Sequence, residues 1–281
     1  MLVSELREKF IKFFEKNGHI EVKSSSLIAK DSDSTVLFNI AGMQPFKSYF
    51  AFEKDAVKDL GSNKIVSCQK CIRTKDIYEV GDNSHLTFFE MLGNFSFGSY
   101  FKKEAIKFAY DFLFEELKLS QDDIYVTVFE GNSDIPFDEE SYILWEELGI
   151  KDIRKCSFED NFWGPVGKTG ACGVCSEIFY KGVEIWNLVF NSYFKNEKGE
   201  YVEMEKKCVD TGSGLERLCC AINGYTSVYD LDVFSSLMDF LKRESDICDE
   251  KMFKIIIDHF KAVCFLIADK VLPGNMGREY I

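Results

Sequence analysis

VDTGSGLERL, residues 209–218, admits two readings that lead to different folds. An Asp-Thr-Gly-Ser run is how a pepsin-like protease presents a catalytic carboxylate. A glycine-rich turn running into Leu-Glu-Arg-Leu instead starts an amphipathic helix and sets an arginine beside a phosphate. Acid proteolysis needs two carboxylates sharing a proton, so a second Asp-Thr/Ser-Gly copy or a homodimer must supply the partner. No second copy occurs in the 281 residues, and a protease loop has no use for Arg217. The nucleotide reading is the one the neighbouring segments support.

Working outward from 209–218, EIWNLVFNSYF (184–194) reads as a long apolar strand, NEKGE (196–200) as a hairpin turn and YVEMEKKCVD (201–210) as its partner strand. IVSCQKCIRT (65–74) and LTFFEMLGNFSF (86–97) read as two more antiparallel strands around the polar loop KDIYEVGDNS. HIEVKSSSLI (19–28), STVLFNIAGM (34–43) and IYVTVF (124–129) complete the predicted strands. Helical periodicity appears at the N-terminus, where Leu6, Phe10, Phe13 and Phe14 share a face and Gly18 is the stop. It returns in EAIKFAYDFLFEEL (104–117), around SYILWEELG (141–149), and from Gly214 to the end. EDNFWGPVGKTGACGVCSE (159–177) reads as a loop. Hairpin-like connections around interleaved helices predict an α+β fold, an antiparallel sheet flanked by helices.

Bulk properties narrow the function. There are 34 basic against 47 acidic residues, a net −13, which argues against binding nucleic acid by bulk electrostatics. No stretch approaches a membrane span: IIIDHFKAVCFLIAD is broken by Asp258, His259, Lys261 and Asp269. MLVSELREKF lacks the plan of a signal peptide, which makes a cytoplasmic location the expectation. The ten cysteines are then expected as reduced thiols. Two C-x-x-C pairs, Cys68/Cys71 and Cys172/Cys175, have the spacing of half zinc sites, but a hundred residues part them and only three His exist. Buried strand or turn cysteines are the expected reading.

Candidate chemistry gathers at four places. Arg73 ends a strand, and arginine suits bidentate contact with phosphate. Phe89 sits on the next strand, where a ring can stack on a purine for about 1–3 kcal/mol. Asp210 and Arg217 flank the glycines of 209–218. No Walker loop and no G-x-G-x-x-G follows a strand. Each residue also has a plainer reading: Phe89 and Met91 as core, Trp163 as a packing anchor, Asp210 as a helix cap.

Strand, arginine, loop, aromatic-plus-acid strand and a glycine-rich strand-to-helix junction with arginine: this layout resembles motifs 2 and 3 of class II aminoacyl-tRNA synthetases, and the wording resembles the alanyl-tRNA synthetases. The matching runs are NIAGMQPFKSYF (39–50), CQKCIR (68–73), HLTFFEMLGNFSFGSYFKKEAI (85–106), DNFWGPVGKTGACG (160–173), EIWNLVF (184–190), VDTGSGLERL (209–218) and DHFKAVCFLIADKVLPGN (258–275), in the family's order. The resemblance implies a class II synthetase-like sheet and formation of alanyl-adenylate from alanine and ATP with Mg²⁺. It implies Arg73 on the α-phosphate and the alanine carboxylate, and Arg217 on the γ-phosphate. Phe89 would stack on adenine with Met91 nearby. Asp210 would take the alanine ammonium, Trp163 and Asn187 would line the amino-acid pocket, and Gly212 would limit its size. Glu177 is the expected Mg²⁺ ligand. Residues 1–245 would form the adenylation domain. Residues 246–281 would be the opening helices of a tRNA-recognition domain that the chain leaves at GREYI.

Departures from the family's pattern qualify these expectations. The loop after Arg73 lacks a Gly-Gly-Lys-His-Asn run, and Ser213 stands where methionine is common. No histidine follows Cys175 in SEIFYKGVEIW, which leaves Zn²⁺ at Cys172 and Cys175 without its family partners. The partners implied are alanine and, through regions largely past Ile281, the acceptor stem of alanine tRNA. A monomer is expected. The competing classes are a synthetase-like paralogue that activates or binds another small acid without charging tRNA, and a metal or redox module on the cysteine pairs.

Overall fold

The computed structural model describes residues 1–29, 36–165, 167–246 and 248–280, and these fold around one mixed sheet. Its strands are β1 (Ile20–Glu21), β2 (Lys64–Ile72), β3 (Phe88–Phe97), β4 (Ile124–Phe129), β5 (Ile153–Cys156), β6 (Phe162–Trp163), β7 (Gly170–Tyr180), β8 (Val183–Lys195) and β9 (Tyr201–Gly214). They lie in the order β1-β2-β3-β9-β8-β7-β4-β5, with β6 paired to β7. The edge pairs β1–β2 and β4–β5 are parallel, and the pairings between them are antiparallel.

Helices α1 (Val3–Lys16), α2 (Lys47–Phe50), α3 (Ala56–Leu60), α4 (Lys102–Tyr110), α5 (Glu139–Glu147), α6 (Phe158–Asn161), α7 (Leu215–Ile222), α8 (Asp232–Glu244) and α9 (Glu250–Ala268) surround the sheet. Helix α1 forms as its periodicity predicts. Glu5 accepts a hydrogen bond from the Leu2 amide (2.8 Å), and Gly18 ends the segment in the left-handed region at φ 80°. Its buried face delivers Phe10 against Phe112 and Trp186, with ring centroids 5.2 and 5.5 Å apart. A second aromatic cluster joins Phe46 and Phe50 to Phe95 and Phe97 of β3. The phenylalanine-rich composition is spent on these layers, where each buried ring contributes hydrophobic free energy and edge-to-face contacts. No helix among the described residues is long and apolar enough to cross a membrane.

Three predicted elements differ. The strand expected over 19–28 shortens to β1, because the serines that follow bind neighbouring backbone and side chains instead of a ladder. The Ser25 amide donates to Gln69 Oε1 (2.8 Å), and the Lys70 amide to Ser24 Oγ (3.0 Å). The strand expected over 34–43 reduces to an isolated bridge between Ile28 and Phe38; its residues 34 and 35 lie outside those described. The loop expected over 159–177 contains α6, β6 and the first part of β7. Its glycines hid the strand, and at Gly173 the glycine is required: a Cβ there would lie 1.9 Å from the Phe190 carbonyl oxygen, beside a bulge in the β7–β8 pairing. Gly173→Ala is expected to destabilise the fold by about 3 kcal/mol or more, because backbone must move to admit the methyl. Denaturant unfolding of the variant measures this, and a loss under about 1 kcal/mol would contradict the close approach.

Candidate active site

Strand β9 alternates as a strand must. Asp210, Gly212 and Gly214 face a cleft of about 260 Å³. Thr211 and Ser213 bond elsewhere: Thr211 Oγ1 donates to Asn94 Oδ1 (2.7 Å) and Ser213 Oγ to the Ile185 carbonyl (2.6 Å). The chain then passes from Gly214 directly into α7, whose third residue is Arg217. Asp210 is therefore a strand residue and caps no helix.

The cleft brings together eight of the residues singled out from the sequence: Arg73, Phe89, Met91, Trp163, Asn187, Asp210, Gly212 and Arg217. Arg73 Nε donates to the Ile40 carbonyl (2.9 Å), and neither Nη atom has a hydrogen-bond partner among the described residues, so a bidentate fork is left open. Its guanidinium carbon sits 5.1 Å from the centroid of the Phe89 ring. Arg217 Nη1 pairs with Glu184 Oε2 at 3.2 Å, both side chains being 36% exposed.

The opposite end of the cleft is small and partly desolvated. Met91 Sδ accepts from the Gly42 amide (3.1 Å), and a Cβ added at Gly212 would stand 3.0 Å from that sulfur. Asp210 is 5% exposed, and burial pushes its carboxyl up from 3.8 to about 7. Asn187 Nδ2 donates to Glu177 Oε1 (3.3 Å), while its Oδ1 is buried without a partner. Asn187 Oδ1 and the Asp210 carboxylate, on adjacent strands of the cleft wall, thus both lack a hydrogen-bond donor among the described residues, and a small cation with N–H donors would suit them.

Glu177 does not line the cleft. It lies directly opposite Asn187 on β7, on the same face of the sheet, and burial together with the neighbouring Glu184 raises its carboxyl to about 7. The acid on the cleft wall is Glu184, which the sequence reading quoted but gave no role. Strict alternation along β8 sets Glu184 on the face opposite Asn187. The pairing shifts between Ile178 and Phe179, leaving Ile185 bulged, and the shift brings Glu184 round to the cleft. Asp76, His85 and Glu216 also line the cleft without having been singled out as site residues. A hard divalent cation such as Mg²⁺ is held by one or two carboxylates plus substrate phosphates, and Glu184 beside Arg217 fits that need.

The cysteines do not fit zinc. Cys68 and Cys71 are on β2 and Cys172 and Cys175 on β7, with β3, β9 and β8 between them, so roughly 19 Å separates the two pairs at strand spacing. Burial raises all four thiols, to about 11 at Cys172. No group of three His, Cys, Asp or Glu able to hold a metal occurs among the described residues.

Comparison with known proteins places this geometry. The family model described as tRNA synthetases class II (A) matches residues 5–281, and the chain belongs to that family. Among curated proteins it is 47% identical over 311 aligned positions to an alanine–tRNA ligase of Borrelia hermsii, covering 100% of this chain and 52% of that protein. It is 43% identical to one from Treponema denticola (99% of this chain, 51% of that protein) and 39% identical to one from Rubrobacter xylanophilus (100% and 35%). The chain thus spans about half, or less, of the length of these relatives. A solved pyrrolysyl-tRNA synthetase from Desulfitobacterium hafniense superposes with a TM-score of 0.50 at 14% identity, covering 82% of this chain and 72% of that one; the likeness concerns the fold alone.

The raised carboxyl of Asp210 has a signed consequence. A carboxyl whose folded value lies above its unfolded value costs stability as pH rises, from about 4 through about 7, because the unfolded chain ionises first. Asp210→Asn should be more stable than the parent at pH 8 by on the order of 2 kcal/mol, the open side of the cleft reducing the full burial cost. The gap should vanish at pH 4. Unfolding curves at both pH values decide it, and an equal gap at the two would refute the assignment.

Proposed function

We propose that this chain activates alanine with ATP, forming alanyl-adenylate and pyrophosphate, the first step in charging alanine tRNA. The observation that carries the reading is Asp210: a buried carboxylate with no hydrogen-bond partner among the described residues, lining one cleft with the Gly212–Met91 wall and two arginines. The ionised carboxylate would take the amino acid's ammonium, with Asn187 Oδ1 accepting a further N–H. Gly212, with Met91 Sδ close against it, would limit that part of the cleft to a small side chain such as a methyl. The open fork of Arg73 would bridge the amino-acid carboxylate and the α-phosphate, and Phe89 would stack on the base. Arg217 would exchange its exposed pairing with Glu184 for the γ-phosphate, which costs little because such pairs are worth about 0–1 kcal/mol.

In the reaction a carboxylate oxygen of alanine attacks the α-phosphorus in line. The new P–O bond forms as the bond to the β-phosphate's bridging oxygen breaks, and pyrophosphate leaves. No proton needs to move, so orientation and neutralisation of charge supply the rate. Mg²⁺ bound with ATP would add charge neutralisation on the polyphosphate, with Glu184 as the protein carboxylate able to hold it. The names of the relatives, alanine–tRNA ligase, support both the amino acid and the eventual acceptor, alanine tRNA. In this reading residues 1–245 form the adenylation domain and 246–281 the opening helices of a tRNA-recognition domain.

Alanine-dependent ATP–pyrophosphate exchange tests the proposal. Exchange should occur with alanine and more weakly with glycine and serine. Asp210→Ala should lower kcat/KM for alanine at least about 100-fold, since it deletes one partner of a desolvated charge pair. Binding requires ionised Asp210, so KM for alanine should rise about tenfold between pH 8 and pH 6 as the group with a value of about 7 takes up its proton. Folded protein that shows no exchange with alanine would sink this reading.

A further inference from the structure

Helix α9 lines none of the cleft, yet its polar side chains reach the elements that do. Asp258 accepts from the Thr87 amide (2.8 Å), where the loop after Arg73 rejoins β3. Lys254 Nζ donates to Asn83 Oδ1 (2.8 Å) within that loop, and Phe265 stacks on Phe88 with centroids 3.9 Å apart. Lys261 Nζ donates to Glu216 Oε1 at 3.2 Å.

Glu216 is the informative partner. It precedes Arg217 in the first turn of α7 and is 1% exposed. Its other oxygen, Oε2, accepts from the Glu90 amide (3.0 Å), between Phe89 and Met91. The β3–β9 pairing reaches Met91 opposite Gly214, where β9 ends and α7 begins. At Glu90 a side-chain carboxylate therefore takes the place of the missing ladder acceptor. It joins the strand that carries Phe89 to the turn that carries Arg217. A carboxylate so buried, with Glu90 adding repulsion, needs a cation, and Lys261 is the cation in contact with it among the described residues. The ammonium is itself held over the rings of Phe234 and Phe88, 4.3 and 5.1 Å from their centroids.

We propose that Lys261 is a positioning residue for the nucleotide half of the site: through Glu216 it fixes the spacing between Phe89 and Arg217. The amino-acid half depends on it less: Met91 is also held by its pairing with Gly214, and Asp210 and Gly212 by the β8–β9 pairing, opposite Val189 and Asn187. This inference rests on the reading of the cleft as an ATP site.

The test measures ATP affinity directly, by calorimetric titration with ATP and magnesium, in the full chain and in Lys261→Met and Lys261→Arg. KM for alanine in the exchange reaction and thermal midpoints are measured alongside. Lys261→Met should weaken ATP about tenfold and shift KM for alanine less than about twofold, while Lys261→Arg stays within about threefold of the parent. Glu216→Gln keeps an acceptor for the Glu90 amide and deletes the charge. It should repeat the ATP loss, and it carries the test if Lys261→Met does not fold. Unchanged ATP binding in a folded variant, equal loss of ATP and alanine, or failure of arginine to rescue would each overturn the proposal. Parent protein that binds ATP but does not exchange with alanine would defeat the proposed substrate and leave the Lys261 comparison intact. Parent protein that binds no ATP would defeat both.

Discussion

The site depends on how β3 meets β9. The two strands pair at Met91–Gly214 and Leu92–Ser213 and again at Ser96–Val209 and Phe97–Cys208. Between these points they are joined by a side chain, the Asn94 amide donating to Thr211 Oγ1 (3.0 Å). They come so close there that a Cβ on Gly93 would lie 2.7 Å from the Thr211 carbonyl oxygen. A slip of one residue would turn Asp210 and Gly212 into the core under α1 and α7, and put Thr211 and Ser213 in the cleft. The glycine, the Asn94–Thr211 pair and Ser213 on Ile185 all penalise that slip. Register, more than any single side chain, decides that a carboxylate and two glycines face the cleft.

Two kinds of electrostatics then meet in one cleft. Around Asp210, burial raises the carboxyl to about 7 with no hydrogen-bond donor to it among the described residues, an unfavourable charge that the ammonium of the proposed substrate would relieve. Around Arg217, the guanidinium is paired with Glu184, but both groups are wet and the pairing is easily exchanged. On the proposed function, one end would gain affinity by relief of desolvation, the other by substitution of one exposed anion for a more highly charged one. This division would let a chain of net charge −13 present a phosphate site: the basic groups are few and local.

Periodicity alone favours a core reading for Phe89 and Met91; the resemblance to class II synthetases is what singled out Met91, Trp163, Asn187 and Gly212. The alternation agrees with the structure, where Phe89 and Met91 on β3, and Asp210, Gly212 and Gly214 on β9, line the cleft at every second residue. Arg217 was legible because glycines precede it and a helical pattern follows. Glu184 was hidden by the bulge at Ile185, which no composition rule signals. Strand β7 was hidden by Gly170 and Gly173; at Gly173 the low strand preference of glycine is overridden by close approach to Phe190. Glu216 was hidden for a different reason. Its partners Glu90 and Lys261 lie 126 and 45 residues away in the chain, and nothing local marks a buried carboxylate that stands in for a ladder bond.

The same walls limit selectivity. In the proposed reading, Met91 behind Gly212 would close the amino-acid end by steric contact and reject a branched side chain, because both sulfur and strand would have to move. Glycine would fit and lose only the contacts of one methyl group, about 1–3 kcal/mol. Serine would fit too, and Asn187 Oδ1, buried without a donor among the described residues, would accept its hydroxyl rather than penalise it. An apolar wall cannot strongly reject an added hydroxyl, and a polar atom left unpaired beside it makes the rejection weaker still. On the proposed function, the acceptor that would suit the ammonium of alanine is thus the same feature that would weaken discrimination against serine: in a pocket this small, binding strength and selectivity would draw on one atom in opposite directions.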